Sequence, residues 1–267
     1  MACYSLLKGS TPLLISMPHI GQIIPQSIAS LMTDEALLIK DTDWYIDRLY
    51  DFAHEIGATI IKPHASRYVI DLNRGVDGVN LYPGADSTEL CPSSTFNRTP
   101  IYLDKSIVPT EEVDKRVTEY WQPYHDEVKN TLAQIKAKFG FAIILDAHSI
   151  LSEVPRFFDG KLPDFNWGTA NGRSCSEEII NSIKALDFSP YTLVWNERFK
   201  GGYITREYGD PENNIHAIQL ELSQRTYMNE DEFTFNDSLA KQVQPILKAI
   251  VEALLSCKPN LVTKELS

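Results

Sequence analysis

FAIILDAHS, residues 141–149, is the stretch whose reading decides the fold. Apolar residues run unbroken from Phe141 to Leu145 and give way to Asp146, Ala147, His148 and Ser149. A continuous apolar run of this length suits a strand buried on both faces of a parallel sheet. Open α/β sheets bind ligands in the crevice beyond the carboxyl ends of such strands. His148 follows the run directly and therefore stands where chemistry is usually done. The plainer reading is a strand-end histidine satisfied by a loop carbonyl, so the question is whether other segments bring matching groups to the same place.

Working outward, Pro12–Met17 repeats the pattern. A buried run ends at Pro18 and His19, with Gly21 as the turn. Between these two runs the spacing predicts a short helix over 33–40 with Thr33 as N-cap, a helix over 41–56 stopped by Gly57, and a strand over 58–62. Residues 63–109 read as a long polar region rich in Gly, Pro, Asn and Ser, with a short strand at 67–72; such a stretch is more often functional than filler. Residues 110–139 carry apolar side chains at helical spacing, with Pro123 expected to kink the helix. Beyond the central run the pattern gives a loop over 151–173, a helix over 174–186 capped by Ser174, a strand over 191–195, a loop over 199–214, a strand over 215–222 and a closing amphipathic helix over 236–255. Strands alternating with helices predict one α/β domain over residues 1–267, with a mixed, mostly parallel central sheet covered by helices on both faces.

Composition narrows the function classes. The chain has 267 residues, 43% hydrophobic and 23% charged, which is ordinary globular material. A formal net charge of −11 argues against nucleic acid as a partner, because phosphate-backbone binding needs a basic face. It leaves room for an anionic small molecule held by a few arginines. No window is apolar enough for a membrane span, and MACYSLLKGSTP lacks the pattern of a secretory signal. Cys3, Cys91, Cys175 and Cys257 are scattered, with no disulfide framework or thiolate metal site in prospect, so a cytoplasmic location is expected.

The chemistry-bearing candidates begin with His19 and His148. Each closes a buried run, and neighbouring strands would bring both imidazoles to one edge, where catalytic zinc takes three protein ligands and a water. The third ligand must be a carboxylate, for which Asp41 and Asp43 stand in KDTDWYID. Either could instead cap the helix that follows. His64 is a weaker candidate, while His54 reads as solvent-edged, His125 as packed and hydrogen-bonded, and His216 as core. Alternation along 215–222 places Gln219 and Glu221 on one face and His216, Ile218 and Leu220 on the other. A buried strand carboxylate is costly unless paired or functional, so Glu221 is either salt-bridged, for example to Arg225, or a general base. Asn73-Arg74 can grip a carboxylate through paired hydrogen bonds, or can simply be a turn.

With these residues in hand, the chain resembles the N-formylglutamate amidohydrolase (deformylase) family. The resemblance runs from about Leu14 to Met228, through PHIGQIIP (18–25), DTDWYIDRLYD (41–51), SRYVIDLNRG (66–75), LDAHS (145–149), GTANG (168–172), KGGYITREYG (200–209) and IQLELSQRTYM (218–228). That family is related in turn to zinc carboxypeptidases and aspartoacylases, which implies a zinc-carboxypeptidase-like (phosphorylase/hydrolase-like) fold. Those enzymes use a histidine with a glutamate three residues on, then Asn-Arg, a second histidine and a base glutamate. The order here is His19, Asn73-Arg74, His148, Glu221. The departure is Gln22, three after His19, a poor metal ligand, from which Asp43 is inferred as the replacement.

The resemblance implies hydrolysis of N-formyl-L-glutamate to formate and glutamate, a last step of histidine breakdown. One divalent ion, zinc in the first instance, would sit on His19, Asp43 and His148, with Glu221 as base. The substrate's two carboxylates call for more than one cation: Arg74 with Asn73 first, then Arg206 with Tyr203 beside it, with Arg67 and Arg98 in reserve. The competing readings are a deacylase or carboxypeptidase-like hydrolase of another acidic N-acyl amino acid, and a non-catalytic binder of acidic amino acids. A homo-oligomer is compatible with the sequence, which does not set the oligomeric state.

Overall fold

The computed structural model describes residues 3–79, 84, 86–104 and 108–259. Parts of the region read as a long loop over 63–109, the first two residues of the chain, and the last eight residues of the expected 1–267 domain lie outside them. In chain order the strands are β1 (Tyr4–Leu7), β2 (Leu13–Ser16), β3 (Thr59–Pro63), β4 (Ala142–Ile150), β5 (Phe165–Gly168), β6 (Leu193–Trp195), β7 (Ile215–Ser223) and a small hairpin, β8 (Met228–Asn229) and β9 (Thr234–Phe235). The helices are α1 (Gln26–Ala29), α2 (Ile46–Leu49), α3 (Phe52–Glu55), α4 (Thr110–Arg116), α5 (Gln122–Phe139), α6 (Glu177–Lys184), α7 (Tyr203–Tyr208) and α8 (Asp237–Ser256).

The first seven strands form one mixed sheet in the order β1-β3-β2-β4-β7-β5-β6. Its centre, β3-β2-β4-β7, is parallel. β1 pairs antiparallel with β3, and β5 antiparallel with β7. Every residue of β4 is buried, as its apolar composition requires. Alternation sends Ile143, Leu145 and Ala147 to one face, where they pack with Leu49 of α2, Ile179 of α6 and Leu247 of α8. Ala142 and Ile144 face the other way, onto Val128 and Leu132 of α5 and Ile204 of α7. Helices therefore cover both faces, as expected from the sequence.

Several boundaries differ, each for a visible reason. β4 does not stop at Leu145 but continues to Ile150, so His148 lies within the strand, paired in register with Glu221 of β7. The helix expected over 41–56 starts late and is two short ones: Tyr45 takes a left-handed backbone (φ 61°) just ahead of α2, and Tyr50, outside helical geometry (φ −101°, ψ 22°), ends α2 before α3 begins. Residues 67–72 are buried but form turns rather than a strand, their backbone bonding locally, as from Val69 N to Ser66 O. Over 33–40 only a 3-10 turn, Ala36–Leu38, forms, with Thr33 Oγ1 accepting from Ala36 N at 3.2 Å.

The 110–139 helix is interrupted by a wide π turn, Val117–Trp121, just before Pro123, whose missing N–H removes one ladder bond. Gly140 ends it with φ 84°. Ser176, not Ser174, precedes α6; the Ser174 hydroxyl donates to Ala217 O. The two expected loops contain β5 and α7, elements too short to show a period.

Candidate active site

The central strands deliver a polar column to one face. Ser16 pairs in register with Asp146, Asp146 with Gln219, and His148 with Glu221. β2 stops at Ser16 while β4 and β7 run on, and the open end beside them is filled by three loops. One carries His19 out of β2, one carries Asp43 ahead of α2, and one carries residues 67–74 across the rim. Among the described residues, His19, Asp43 and His148 form a group able to hold a metal ion.

His148 Nδ1 lies 3.2 Å from His19 Nδ1 and 3.1 Å from Asp43 Oδ2, and His19 Nδ1 lies 3.7 Å from the same oxygen. A tetrahedral ion with bonds of roughly 2.0–2.1 Å has ligand–ligand edges of about 3.3 Å, so the three donors fit one. The far nitrogen of each ring meets a carboxylate. His19 Nε2 is 2.7 Å from Asp71 Oδ1, and His148 Nε2 is 2.8 Å from Asp146 Oδ2. A metal-binding histidine needs this arrangement, because the carboxylate keeps the proton on Nε2 and turns the Nδ1 lone pair inward. The orienting acids are held in turn. Arg67 Nη2 donates to Asp71 Oδ2 at 2.8 Å, and Ser16 Oγ donates to Asp146 Oδ1 at 3.2 Å. Asp43 is fixed by the backbone N–H of Ser149, 3.1 Å from its Oδ2.

All these groups are buried, which sharpens their electrostatics. Burial together with the Arg67 charge lowers His19, against the pull of Asp71 and Asp43. Burial would lower His148 too, but Asp146 and Asp43 outweigh it and hold it well above its usual range. Asp71 is held well below the carboxylate range, since His19 and Arg67 overcome its burial. Glu221 is pushed up to about 8, chiefly by burial, with the Asp43 carboxylate adding to it. A carboxyl tuned this far toward neutrality, beside a histidine ligand, is the kind of group general acid–base chemistry uses.

A cleft opens over this centre and is lined by His19, His148, Glu221, Asn73, Arg67 and Arg74, all named from sequence, together with Gln219, Phe96 and Arg198. Asn73 lines the cleft and its side chain is also tied into the support of the two histidines. Its Nδ2 donates to Asp146 Oδ2 at 3.2 Å and lies 3.0 Å from His148 Nε2, while its Oδ1 accepts from Ile204 N. Its own N–H donates to Asp71 Oδ1 at 2.8 Å. Asn73 thus joins the two orienting aspartates. Arg67 lines the cleft with its charge met by Asp71 and, at 3.7 Å, Asp43. Arg74 is steadied by Thr88, whose carbonyl accepts from Nε at 3.1 Å.

Arg206 and Tyr203 are not among the lining residues. Arg206 Nε donates to Gly201 O, and the Tyr203 ring packs against Trp121 and His125. Arg98 pairs with Asp86 at 2.9 Å on the surface. Asp41 neither caps a helix nor joins the centre; its Oδ2 accepts from Phe96 N at 2.8 Å. His125 is packed and hydrogen-bonded as read, to Tyr208 and Leu72 O, and His64 meets Ser5 at the edge of the sheet. Arg225 pairs with Asp164, not with Glu221.

Sequence reading gave no role at the site to Asp71, Asp146 or Gln219, although it put Gln219 on the face of Glu221, and it passed over Arg198. The first two had a signal, since an acid inside an otherwise apolar buried run must be paired. Arg198, in a loop of irregular spacing, had none.

The family model described as N-formylglutamate amidohydrolase matches residues 11–228. A curated relative named N-formylglutamate deformylase, from Pseudomonas putida, is 45% identical over 94% of this chain and 95% of its own. Another of the same name, from Pseudomonas aeruginosa, is 45% identical over 94% of this chain and 96% of its own. Among solved structures, the fold is similar to that of an N-formylglutamate amidohydrolase from Ralstonia eutropha, with a TM-score of 0.81 at 22% identity over 96% of both chains. It is also similar to a gene product of Agrobacterium tumefaciens, with a TM-score of 0.70 at 16% identity over 95% of this chain and 96% of that one.

Proposed function

The chain belongs to the N-formylglutamate amidohydrolase family, and from that premise we propose that it is a metal-dependent amidohydrolase converting N-formyl-L-glutamate and water to formate and L-glutamate. The observation that carries this reading is the convergence of His19, Asp43 and His148 on one point with Glu221 beside them. Those three residues would hold one divalent ion, zinc by the chemistry of two nitrogens and a carboxylate. When bound, the ion supplies a water acidified to a pKa of about 7 and polarises the formyl carbonyl.

The chain's own residues do the rest. Glu221 takes a proton from the attacking water as the new C–O bond forms at the formyl carbon. It returns that proton to the glutamate nitrogen as the C–N bond breaks; the amine departs neutral, and the acid that leaves gives up the second water proton to solvent as formate. Asp71 and Asp146 hold the two imidazoles in the tautomer that presents Nδ1. Arg74 and Arg198 give the cleft wall positive charge for a substrate with two carboxylates. Phe96 lends the cleft an apolar side. In this reading the enzyme serves histidine breakdown in the cytoplasm. Four free cysteines are consistent with such a reducing location. No helix among the described residues is long and apolar enough to cross a membrane.

The test measures formate release and bound metal on the same preparation purified without chelator. Turnover of N-formyl-L-glutamate that disappears on chelation and returns with zinc is expected. Turnover of the N-acetyl analogue at the same rate would move the substrate assignment to a broader deacylase, and full turnover without metal would end the metal-dependent reading.

A further inference from the structure

Gln219 lies on the cleft wall, two residues before Glu221 on the same face of β7, and is 3% exposed. Its Oε1 accepts a hydrogen bond from the backbone N–H of Gly202 at 2.7 Å. A backbone N–H can only donate, so this contact decides which way the amide is turned: Oε1 toward Gly202, and the two N–H donors of Nε2 away from it. The partner loop is itself held in place. A Cβ on Gly202 would come within 2.3 Å of the Asn73 amide, so the chain passes here only as glycine.

Among the described residues no acceptor meets Gln219 Nε2. The neighbours across the sheet do not serve. Gly168 on β5 has no side chain, and the Asp146 oxygens on β4 already receive Ser16, Asn73 and His148. With Oε1 committed to Gly202 and the residue lining the cleft, the Nε2 donors are left for whatever occupies that space. A site built this way rejects ligands that lack the matching acceptor.

We propose that Gln219 Nε2 is a substrate-anchoring donor that takes a carboxylate oxygen of the N-formyl amino acid. This rests on the substrate reading above. The register favours a carboxylate over the reacting carbonyl. Gln219 and Glu221 are separated by one pleat, roughly 6.6 Å along the strand, and the carboxylates stand several bonds from the formyl carbon on which Glu221 acts. Gln219 thus adds a neutral, oriented donor to the charges of Arg74 and Arg198.

Gln219→Glu tests this with little change of shape. It keeps an acceptor toward Gly202 and replaces the Nε2 donors with an anionic oxygen. Gln219→Met removes the donors without adding charge. L-Glutamate, the product that carries both carboxylates, is titrated calorimetrically into metal-loaded wild type and both variants, and KM and kcat are measured alongside. The expected result is a Kd for glutamate weakened about tenfold or more in Gln219→Glu and in the same direction in Gln219→Met, with KM rising by a larger factor than kcat falls. Equal glutamate affinity in wild type and folded variants, or a loss in kcat alone, overturns the assignment. Failure of the wild type to turn over N-formyl-L-glutamate sinks the substrate reading instead, while the glutamate titration still judges Gln219 by itself.

Discussion

His19 and His148 turn the same ring atom toward each other: their Nδ1 atoms stand 3.2 Å apart, while Nε2 of each is held by an aspartate. Two lone pairs aimed at one point repel unless a proton or a cation lies between them. Asp146 and Asp43 hold His148 well above its usual range, against its burial, which favours a proton here until a cation takes its place. Metal loading therefore displaces a proton. Calorimetry in buffers of different ionisation heat is expected to show proton release near neutral pH, with affinity falling as pH falls. Binding with no buffer dependence would place the ion elsewhere.

Asp71 and Asp146 bear on the ion only through the imidazoles they orient. Asp71→Asn and Asp146→Asn are each expected to weaken zinc affinity by about 10–100-fold, read by competition with a chromogenic chelator. Unchanged affinity in both would reduce them to packing groups.

Asn73 bridges these two aspartates, its N–H donating to Asp71 and its Nδ2 to Asp146. Asn73→Ala is expected to lower metal affinity and kcat, with KM moving less. A selective rise in KM with normal metal binding would restore the substrate-contact role.

Glu221 is buried with its carboxyl at about 8, against 4.5 for the free group. The folded metal-free protein thus binds an extra proton across that window, and its stability drops as pH rises from 4.5 towards 8. Denaturant titrations of stripped protein are expected to show wild type losing ground to Glu221→Gln over this range. In loaded enzyme the same variant should retain metal and lose about 10²–10⁴ in kcat. Normal turnover would remove Glu221 from the proton transfer.

Arg74 lines the cleft half-buried, with its Nε committed to Thr88. Arg74→Ala is expected to raise KM for N-formyl-L-glutamate by about tenfold or more, as loss of a charge-assisted pair does, with a smaller change in kcat. Equal kcat/KM in wild type and variant would make this turn purely structural.

Strand chemistry is local, and the sequence by itself determined it. The apolar run into His148 and the alternation along 215–222 were enough to mark two buried strands and to put Gln219 and Glu221 on one face, because a side chain's face follows from counting by two. Tertiary structure alone decided the rest. Asp43 reaches the histidines because the helix that spacing alone would begin at 41 starts only after the left-handed Tyr45. Asn73 turns inward because α7, hidden in an apparent loop, offers it a backbone N–H from 131 residues away. Arg198 lines the cleft where Arg206 does not, since long loops settle by packing against distant segments rather than by any period of their own.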